Sequence, residues 1–281
     1  MIVDAHTHIF PDFIRDKREA YFDGEPEFKL LYDSPKSKLV TADQLVAEMD
    51  AQGVDRAVTF GFPWHAPEIF KPHNDYIMEA VARYPDRIKG LCCLDVFAED
   101  ALDEVERCIA GGLSGVGELA FYQSGFESGT LARLEPVMAF CREKHLPVMI
   151  HTNEPIGHMY PGKTPNTLAQ IYELIRRFPD NRIILAHWGG GLFFYMLMKK
   201  EVREALANVY FDTAASPFLY TPEIYPMAEQ AAGADKILWG TDYPLIKPDR
   251  YFREIEKSGI SEAGKKQMMG ENAARLFLMG E

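Results

Sequence analysis

The sequence predicts an α/β protein built as a (β/α)8 TIM barrel, with a lid-like insertion after the first strand and extra helices at the C-terminus. The chain has 281 residues, a length that suits one barrel of about 250 residues with modest insertions. Eight short β-rich segments alternate with helical segments, and eight parallel strands close such a barrel. Residues able to bind a metal or move a proton follow several of these strands, where barrels carry their active sites. We therefore expect residues 1–281 to form a single barrel domain.

Composition places the chain among ordinary globular proteins. Hydrophobic residues make up 47% and charged residues 26%, so a substantial core can be buried. No apolar run approaches the roughly 18 residues that span a membrane, and the N-terminus lacks the pattern of a secretion signal. These features predict a cytoplasmic protein with no membrane partner. The net charge of −12 argues against a nucleic-acid partner, because phosphate binding needs clustered Lys and Arg.

The first strand candidate, residues 2–5, leads directly into His6 and His8. Side chains at i and i+2 of an extended chain point to the same face, with Cα atoms roughly 6.6 Å apart. Both rings can therefore reach one metal ion. Residues 10–41 then lose regular periodicity, and this insertion is either a lid over the metal or an ordinary packed segment, with a small hairpin through residues 28–32.

The remaining elements continue the alternation of strands and helices. Thr41 and Gln44 form a T-x-x-Q capping box, which predicts the start of a helix that ends at Gly53. Apolar residues at helical spacing predict another helix around 76–84. The later strands are predicted at 57–62, 88–94, 115–121, 148–152, 183–187, 209–213 and 237–240, and helices at 100–110, 130–145, 166–178, 191–206 and 222–232. The tail at 261–277 predicts one or two helices packed on the outside.

Polar residues at the predicted strand ends form the candidate site. A polar residue at one strand end is usually a cap or a solvated loop residue, but polar residues at five of eight ends are harder to obtain by chance. Their types, His, Glu and Asp, bind metals and transfer protons. The candidates are His6 and His8 after strand one, Glu118 in strand four, His151 after strand five, His187 after strand six and Asp242 after strand eight.

Loop residues near these strand ends are candidates for substrate binding. Aromatic side chains there would suit a cyclic or aromatic substrate that bears a carboxylate or carbonyl, and core packing is the equally weighted alternative. The candidates are Phe10, Trp64, Tyr122, His158, Trp188 and Tyr243. Lys163 and Lys247 are the loop cations to consider for binding a carboxylate.

Five segments spread along the chain carry a family resemblance. They are D-A-H-T-H-I-F at 4–10, M-I-H-T-N at 149–153, L-A-H-W-G-G-G at 185–191, W-G-T-D-Y-P at 239–244 and G-E-N-A-A-R-L-F at 270–277. In this order they resemble the metal-dependent amidohydrolase superfamily, and within it the amidohydrolase-related branch that includes aminocarboxymuconate semialdehyde decarboxylase and related aromatic-acid decarboxylases. The resemblance implies a (β/α)8 barrel in which His6, His8, His151 and Asp242 bind a divalent metal, usually zinc. Manganese and iron are alternatives, since the same ligands accept them.

The segment G-V-G-E-L-A at 115–120 departs from that branch. It is more similar to the G-E motif of TatD-type nucleases, in which a strand-four glutamate helps to hold two metals. The number of ions is therefore one or two, and His187 is either a second-metal ligand or a proton-transfer and substrate-orienting residue. The alternative for Glu118 is a buried glutamate bonded to a neighbouring strand or to His151.

Three activities remain open at this stage. The first expectation is a metal-dependent hydrolase of a small-molecule C–N or C–O bond, in a lactone, amide or cyclic substrate. Zinc would lower the pKa of a bound water toward about 7, Asp242 would accept that water's proton, and His187 would stabilise the oxyanion. The alternative is a non-oxidative decarboxylase of an aromatic or unsaturated carboxylic acid, and a TatD-like phosphodiester nuclease is a minor third. The expected partner is a small-molecule substrate, and a homodimer is one alternative for the oligomeric state.

Overall fold

A computed structural model describes residues 1–123 and 125–279 of the chain, which form eight parallel strands alternating with helices. The strands are β1 (Val3–His8), β2 (Arg56–Phe60), β3 (Ile88–Gly90), β4 (Val116–Leu119), β5 (Pro147–Ile150), β6 (Arg182–Leu185), β7 (Val209–Asp212) and β8 (Ile237–Leu238). β1 to β3 form one sheet and β4 to β8 another, each with its strands in sequence order.

Two junctions join these sheets into a barrel. Cys92, just after β3, pairs in parallel with Val116 of β4. On the other side, the backbone N–H of Ala5 in β1 donates to the carbonyl of Trp239, just after β8, at 2.8 Å. Because all pairings are parallel, the carboxyl ends of the strands meet at one rim. The prediction of a (β/α)8 barrel is confirmed.

Helices cover the outside of the barrel. They are α1 (Asp12–Arg15), α2 (Pro26–Tyr32), α3 (Ala42–Gln52), α4 (Pro67–Arg83), α5 (Ala101–Ala110), α6 (Ser128–Glu143), α7 (Leu168–Arg177), α8 (Lys200–Ala205), α9 (Ser216–Leu219), α10 (Ile224–Ala232), α11 (Pro248–Ser258), α12 (Glu262–Lys266) and α13 (Asn272–Leu276). Short 3-10 helices occupy Arg18–Tyr21, His187–Leu197 and Ala234–Lys236, and a π-helical turn occupies Gln267–Glu271. Within residues 1–123 and 125–279, no helix combines the length and apolar character needed to cross a membrane.

The barrel interior is filled by small and branched apolar side chains, and the C-terminal helix closes its amino end. Val3, Val58 and Ile184 belong to one buried cluster with Leu276 and Phe277 of the C-terminal segment. Burying a side chain of this size stabilises a fold by roughly 1.5 to 3 kcal/mol. The amino end of the barrel is therefore a packed core, which leaves the carboxyl rim for chemistry.

Local sequence signals explain several helix ends. The Thr41 hydroxyl accepts from the backbone N–H of Gln44 at 3.3 Å, while the Gln44 side chain accepts from the backbone N–H of Thr41 at 2.9 Å. This is the predicted capping box, in which two otherwise unpaired donors are satisfied reciprocally. Gly53 ends α3 with a left-handed φ of 71°, a conformation that glycine adopts without steric cost.

Two local predictions were wrong, and one helix was not predicted. Residues 28–32 form part of α2 instead of a hairpin, because Pro26 at the first helical position pre-sets a helical φ. Residues 191–206 form no continuous helix, because Met198 and Lys199 have extended backbone and separate the 3-10 segment that ends at Leu197 from α8. α11 was not predicted, although Pro248 at its start and Gly259 after its end are ordinary helix boundary signals.

Candidate metal centre

The structure brings the six polar candidates from the strand ends together in one cluster at the carboxyl rim. The Glu118 carboxylate lies at its middle. Its Oε1 is 3.1 Å from His151 Nδ1 and 3.7 Å from His187 Nε2, and its Oε2 is 3.8 Å from His6 Nε2 and 4.0 Å from His8 Nε2. Asp242 Oδ1 lies 3.4 Å from His8 Nε2 and 3.7 Å from His6 Nε2. One nitrogen of every ring therefore faces a carboxylate.

The other nitrogen of each ring faces an oxygen outside the cluster. The pairs are His6 Nδ1 with Asp212 Oδ2 at 2.9 Å, His8 Nδ1 with the Gly61 carbonyl at 3.0 Å, His151 Nε2 with the Gly162 carbonyl at 2.9 Å and His187 Nδ1 with the Ala214 carbonyl at 2.9 Å. Carbonyl and carboxylate oxygens accept hydrogen bonds, so these outer nitrogens carry the protons. When such a ring is neutral, its inner nitrogen carries a lone pair directed into the cluster, which is how protein scaffolds orient histidines toward a metal.

The cluster fits a divalent metal ion. The inner Nε2 of His6 is buried and has no hydrogen-bond partner among the described residues. Such an unsatisfied buried polar atom costs about 1 to 3 kcal/mol, and a cation at the centre would satisfy it. Imidazole nitrogens and carboxylate oxygens are ligands that zinc, manganese and iron all accept, and three-ligand groups suited to a metal occur within the cluster.

Electrostatics at the centre favour positive charge. Burial alone would lower the pKa of His6, but the charges of Asp212 and Glu118 outweigh it and raise that pKa to about 10. Burial alone would raise the pKa of Glu118, but the neighbouring His151 and His6 hold it well below the ordinary value. The carboxylates therefore stay ionised and attract a cation, either a proton on a ring or a metal ion.

The backbone around Asp242 fixes that carboxylate in place. The backbone of Asp242 has a left-handed φ of 62°, a conformation that is uncommon for residues other than glycine. Its N–H donates to the His6 carbonyl at 2.9 Å. The preceding residue, Thr241, donates its backbone N–H to the Asp4 carboxylate at 2.9 Å and its hydroxyl to the same group at 2.5 Å. The end of β8 is thus tied to β1, the strand that carries His6 and His8.

Asp212 is a residue that sequence reasoning missed. Its Oδ2 accepts from His6 Nδ1 at 2.9 Å, and its Oδ1 accepts the backbone N–H groups of His187 and Ala214 at 2.9 and 3.0 Å. It therefore orients one candidate metal ligand and the loop that carries another. Its position in the predicted strand 209–213 was the available signal, since it is a carboxylate at a strand end.

Among the substrate-binding candidates, Tyr122 lies beside the cluster. Its ring centroid is 5.8 Å from that of His151. His158 is exposed on the loop after β5 and its ring lies 5.8 Å from that of Tyr160. Tyr243 is buried, and the charge of Glu48 contributes after burial to its raised pKa of about 12.

The structure does not bring Phe10, Trp64 and Trp188 to an open surface, since each side chain is 0% exposed. The Trp64 indole donates to His73 Nδ1 at 2.9 Å, and the Trp188 indole donates to Ser216 Oγ at 2.8 Å. These three rings act as core packing in this conformation. The sequence places aromatic residues on loops, but the direction of each ring depends on the loop backbone.

Two further observations concern groups that could meet a substrate. Tyr32 of α2 has a raised pKa, first because it is buried and then because Asp242 and Glu118 are negatively charged, so the insertion places a phenol near the cluster. Lys163 is paired with Glu154 at 3.0 Å, and Lys247 with Glu48 at 2.7 Å. Both loop cations thus already have carboxylate partners within the chain.

The chain is similar to a family model and to curated proteins over most of its length. The family model described as Amidohydrolase matches residues 3–278. A gamma-resorcylate decarboxylase of Polaromonas sp. (strain JS666 / ATCC BAA-500) is 24% identical over 288 residues, covering 84% of this chain and 86% of that protein. A gamma-resorcylate decarboxylase of Rhizobium radiobacter is 27% identical over 254 residues, covering 75% of this chain and 76% of that protein.

Solved structures share the fold. The 5-carboxyvanillate decarboxylase from Sphingomonas paucimobilis has a TM-score of 0.77 and 19% identity, covering 99% of each chain. A dihydroxybenzoic acid decarboxylase from Polaromonas sp. JS666, solved with bound manganese and the inhibitor 2-nitroresorcinol, has a TM-score of 0.71 and 22% identity, covering 100% of this chain and 97% of that chain.

The first functional expectation, a hydrolase of a C–N or C–O bond in a lactone, amide or cyclic substrate, is wrong. Each of the four curated relatives is a gamma-resorcylate decarboxylase. The ligand residues at the strand ends could not reveal this, because the same metal ligands serve either hydrolysis or decarboxylation. The comparisons favour the alternative, a non-oxidative decarboxylase.

Proposed function

This chain belongs to the amidohydrolase family, in its decarboxylase-like branch, and we propose that it is a metal-dependent, non-oxidative decarboxylase of a hydroxylated aromatic carboxylic acid. The observation that carries the proposal is the agreement among its curated relatives, each of which acts on gamma-resorcylate by name and matches at least 75% of this chain. The polar cluster at the carboxyl rim supplies the centre at which that chemistry would occur.

The metal ligands that we propose are His6, His8 and Asp242, with one oxygen of Glu118 directed at the same place. A bound divalent ion would supply positive charge that holds an anionic substrate and stabilises negative charge developing on it. Manganese is the ion that we favour for the first assay, because a solved dihydroxybenzoic acid decarboxylase of the same fold contains it. Zinc suits the same donors and is the second ion to test.

Asp242 is the residue that we assign to proton transfer. Its side chain is 16% exposed, whereas those of Glu118, His6 and His187 are 6%, 0% and 8% exposed. It is therefore the carboxylate of the cluster most accessible from the open side of the rim, where a substrate must arrive. A carboxyl group held in place by backbone contacts is suited to general acid–base catalysis.

The proposed reaction replaces a carboxylate on the ring with a proton. Asp242 accepts the proton of the substrate's ring hydroxyl and then delivers it to the ring carbon that bears the carboxylate. The bond between that carbon and the carboxylate breaks, its electron pair restores the aromatic ring, and CO2 leaves. Tyr122, whose ring centroid lies 5.8 Å from that of His151, is the side chain that we place against the aromatic ring of the substrate.

The proposal is tested with purified, manganese-loaded protein and a panel of aromatic acids. The panel contains 2,6-dihydroxybenzoate, 5-carboxyvanillate and, as a control without a hydroxyl group, benzoate. We expect CO2 release from at least one hydroxylated acid and, in D2O, one deuterium at the vacated ring carbon. The Asp242→Asn variant should lower kcat by about 100-fold or more, whereas Asp249→Asn, in the first turn of α11, should have no effect. Absence of CO2 release from the whole panel would overturn the proposal.

A further inference from the structure

We infer that Cys93 is a positioning residue, whose thiol holds Glu118, the carboxylate at the middle of the polar cluster. Cys93 follows β3 and is buried. Its Sγ donates a hydrogen bond to the backbone carbonyl of Glu118 at 3.0 Å. The inference rests on the proposed function only for the presence of an ion beside Glu118, and it does not depend on which reaction the centre performs.

The strand that carries Glu118 is irregular at that residue. The pairing of β4 with β5 shifts register between Val116 and Leu119, so Glu118 lies inside the irregular segment. Irregularities of this kind interrupt the regular ladder of backbone hydrogen bonds and redirect a side chain, and they are common beside active sites. The backbone at Glu118 therefore depends on contacts from outside the regular ladder, and the Cys93 thiol provides one.

The chain after β3 contacts β4 just before Glu118. The backbone N–H of Cys92 donates to the Gly115 carbonyl at 2.9 Å, and the N–H of Gly117 donates to the Cys92 carbonyl at 2.8 Å. Cys93 is the next residue of this segment. Its thiol extends the contact between the two segments as far as Glu118.

A buried network on the helix side of the barrel fixes the backbone of Cys93. Asn74 Oδ1, on α4, accepts the backbone N–H of Cys93 at 3.1 Å, and Asn74 Nδ2 donates to Glu104 Oε1 at 2.9 Å. Arg107 pairs with the same Glu104 carboxylate at 2.8 Å. Because Asn74 and Glu104 are 1% and 2% exposed, water does not compete for these bonds. The thiol of Cys93 therefore projects from a fixed backbone.

A thiol suits this position because it is small and apolar but can still donate a hydrogen bond. The ordinary cysteine pKa of about 8.5 keeps the donor proton in place at neutral pH. Groups that support a metal ligand from behind orient it, and their loss typically lowers metal affinity by 10- to 100-fold. We assign this supporting role to Cys93 for the carboxylate of Glu118.

Metal binding by Cys93 variants tests the inference without any activity assay. Metal-free protein is titrated with MnCl2 by calorimetry, and the bound ion is observed by electron paramagnetic resonance. Cys93→Ala should lower the affinity for Mn²⁺ by about 10-fold and change the spectrum of the bound ion, because the thiol no longer holds Glu118. Cys93→Ser keeps a donor on the same Cβ, so it should restore part of the lost affinity.

Cys141→Ala is the matched control, since Cys141 is also a buried cysteine. The charge of Glu118 contributes, after burial, to the raised pKa of Cys93, whereas burial alone raises the pKa of Cys141, to about 12. The control should have a lower Tm but the affinity and spectrum of the wild-type protein. The same result for Cys93→Ala would mean that the thiol only fills space, and it would overturn the inference.

Crystals of metal-free wild-type and Cys93→Ala protein provide a second measurement, which needs no bound ion. We expect the Glu118 carboxylate to be displaced in the variant, and an unchanged position would overturn the inference. The outcome is separable from that of the proposed function. Altered Mn²⁺ binding without CO2 release from the panel would contradict decarboxylation alone. CO2 release with unchanged Mn²⁺ binding in Cys93→Ala would contradict the role of Cys93 alone.

Discussion

His6 lies at the point where the candidate centre and its support meet. Its inner nitrogen is buried without a hydrogen-bond partner among the described residues, and its outer nitrogen is bonded to Asp212. A carboxylate behind a metal-binding histidine fixes the ring orientation and raises its basicity. Asp212 also accepts a hydrogen bond from the backbone N–H of His187, so it supports candidate ligands that follow two different strands.

Replacing Asp212 with Asn should therefore weaken metal binding. The amide keeps one acceptor, but its NH2 group must then face either His6 Nδ1–H or the backbone N–H groups of His187 and Ala214, all of which are donors. We expect the affinity for Mn²⁺ to fall by about 10- to 100-fold, measured by calorimetry on metal-free protein. Asp235→Asn, in the short 3-10 helix before β8, is the matched control. Unchanged affinity in D212N would show that Asp212 does not support the site.

The metal-ligand candidates could be predicted from sequence because each follows a strand, and parallel strands in a barrel end at one rim. Asp212 was missed although it obeys the same rule. The aromatic candidates could not be assigned in this way, since a loop residue such as Trp188 points wherever its backbone directs it. Its left-handed φ of 62° turns the indole toward Ser216 and the core.

At the scale of elements, the insertion between β1 and α3 is attached to the barrel by a histidine. His65, in the loop after β2, lies with Nε2 at 2.9 Å from Glu27 of α2 and Nδ1 at 3.1 Å from Asp95, which follows β3. The carboxylate of Glu25 also accepts the backbone N–H groups of His65 and Ala66. This attachment holds α2, and with it Tyr32, near the centre.

The attachment should depend on pH. The hydrogen bond with Asp95 is the largest cause that raises the pKa of His65, from its ordinary value of 6.5 to about 9. Because the folded pKa is the higher one, the stabilisation is complete below about pH 6.5 and is lost as the pH rises through about 9. The side chain is 42% exposed, so the effect should not exceed about 1 kcal/mol.

The His65→Gln variant tests this dependence. Its Tm should lie below that of the wild-type protein at pH 6, and the difference should shrink at pH 10. His158→Gln, on the exposed loop after β5, serves as the control. A difference that grows with pH would mean that the charged form of His65 does not stabilise the attachment.

The left-handed turn at 187–191 is a second element that positions the site, because it begins at His187. A Cβ at Gly190, where φ is 61°, would lie 2.3 Å from the Asn153 carbonyl oxygen. Gly190→Ala should therefore destabilise the fold by more than the roughly 1 to 2 kcal/mol of left-handed strain alone. Gly259→Ala also has a positive φ, of 81°, but its Cβ would meet nothing within 4 Å.

Urea unfolding of the two alanine variants measures this difference. The Gly259→Ala variant reports the strain by itself, and the excess in Gly190→Ala reports the clash with the loop after β5. Equal losses in both variants would contradict the close approach of these two loops. The sequence predicted the end of a strand at residue 187 and the start of a helix at residue 191, but the glycines between them give no indication of the sign of φ.

At the scale of the whole molecule, stability and chemistry occupy opposite ends of the barrel. Leu276 of α13 is 5% exposed and packs in the cluster that closes the amino end. Its replacement by Ala should cost about 2 to 5 kcal/mol of the free energy of unfolding, measured in urea. The affinity for Mn²⁺ of the folded variant should stay at the wild-type value. Loss of metal affinity in this variant would contradict the separation of the two ends.

The barrel itself was predictable, because three features of the sequence agree with one fold. They are the alternation of strands and helices, the number of strands, which is eight, and the polar groups at the strand ends. The reaction was not, because the same ligand residues serve hydrolysis and decarboxylation. The curated relatives, not the donor types, favour decarboxylation for this chain.

Decarboxylation by this chain should depend on a bound divalent metal ion. CO2 release from 2,6-dihydroxybenzoate, or from the best acid of the panel, is measured before chelation, after chelation and after MnCl2 is restored. We expect CO2 release to be lost with the metal and to return with it. Full activity in chelated protein that contains no bound metal would contradict metal-dependent decarboxylation.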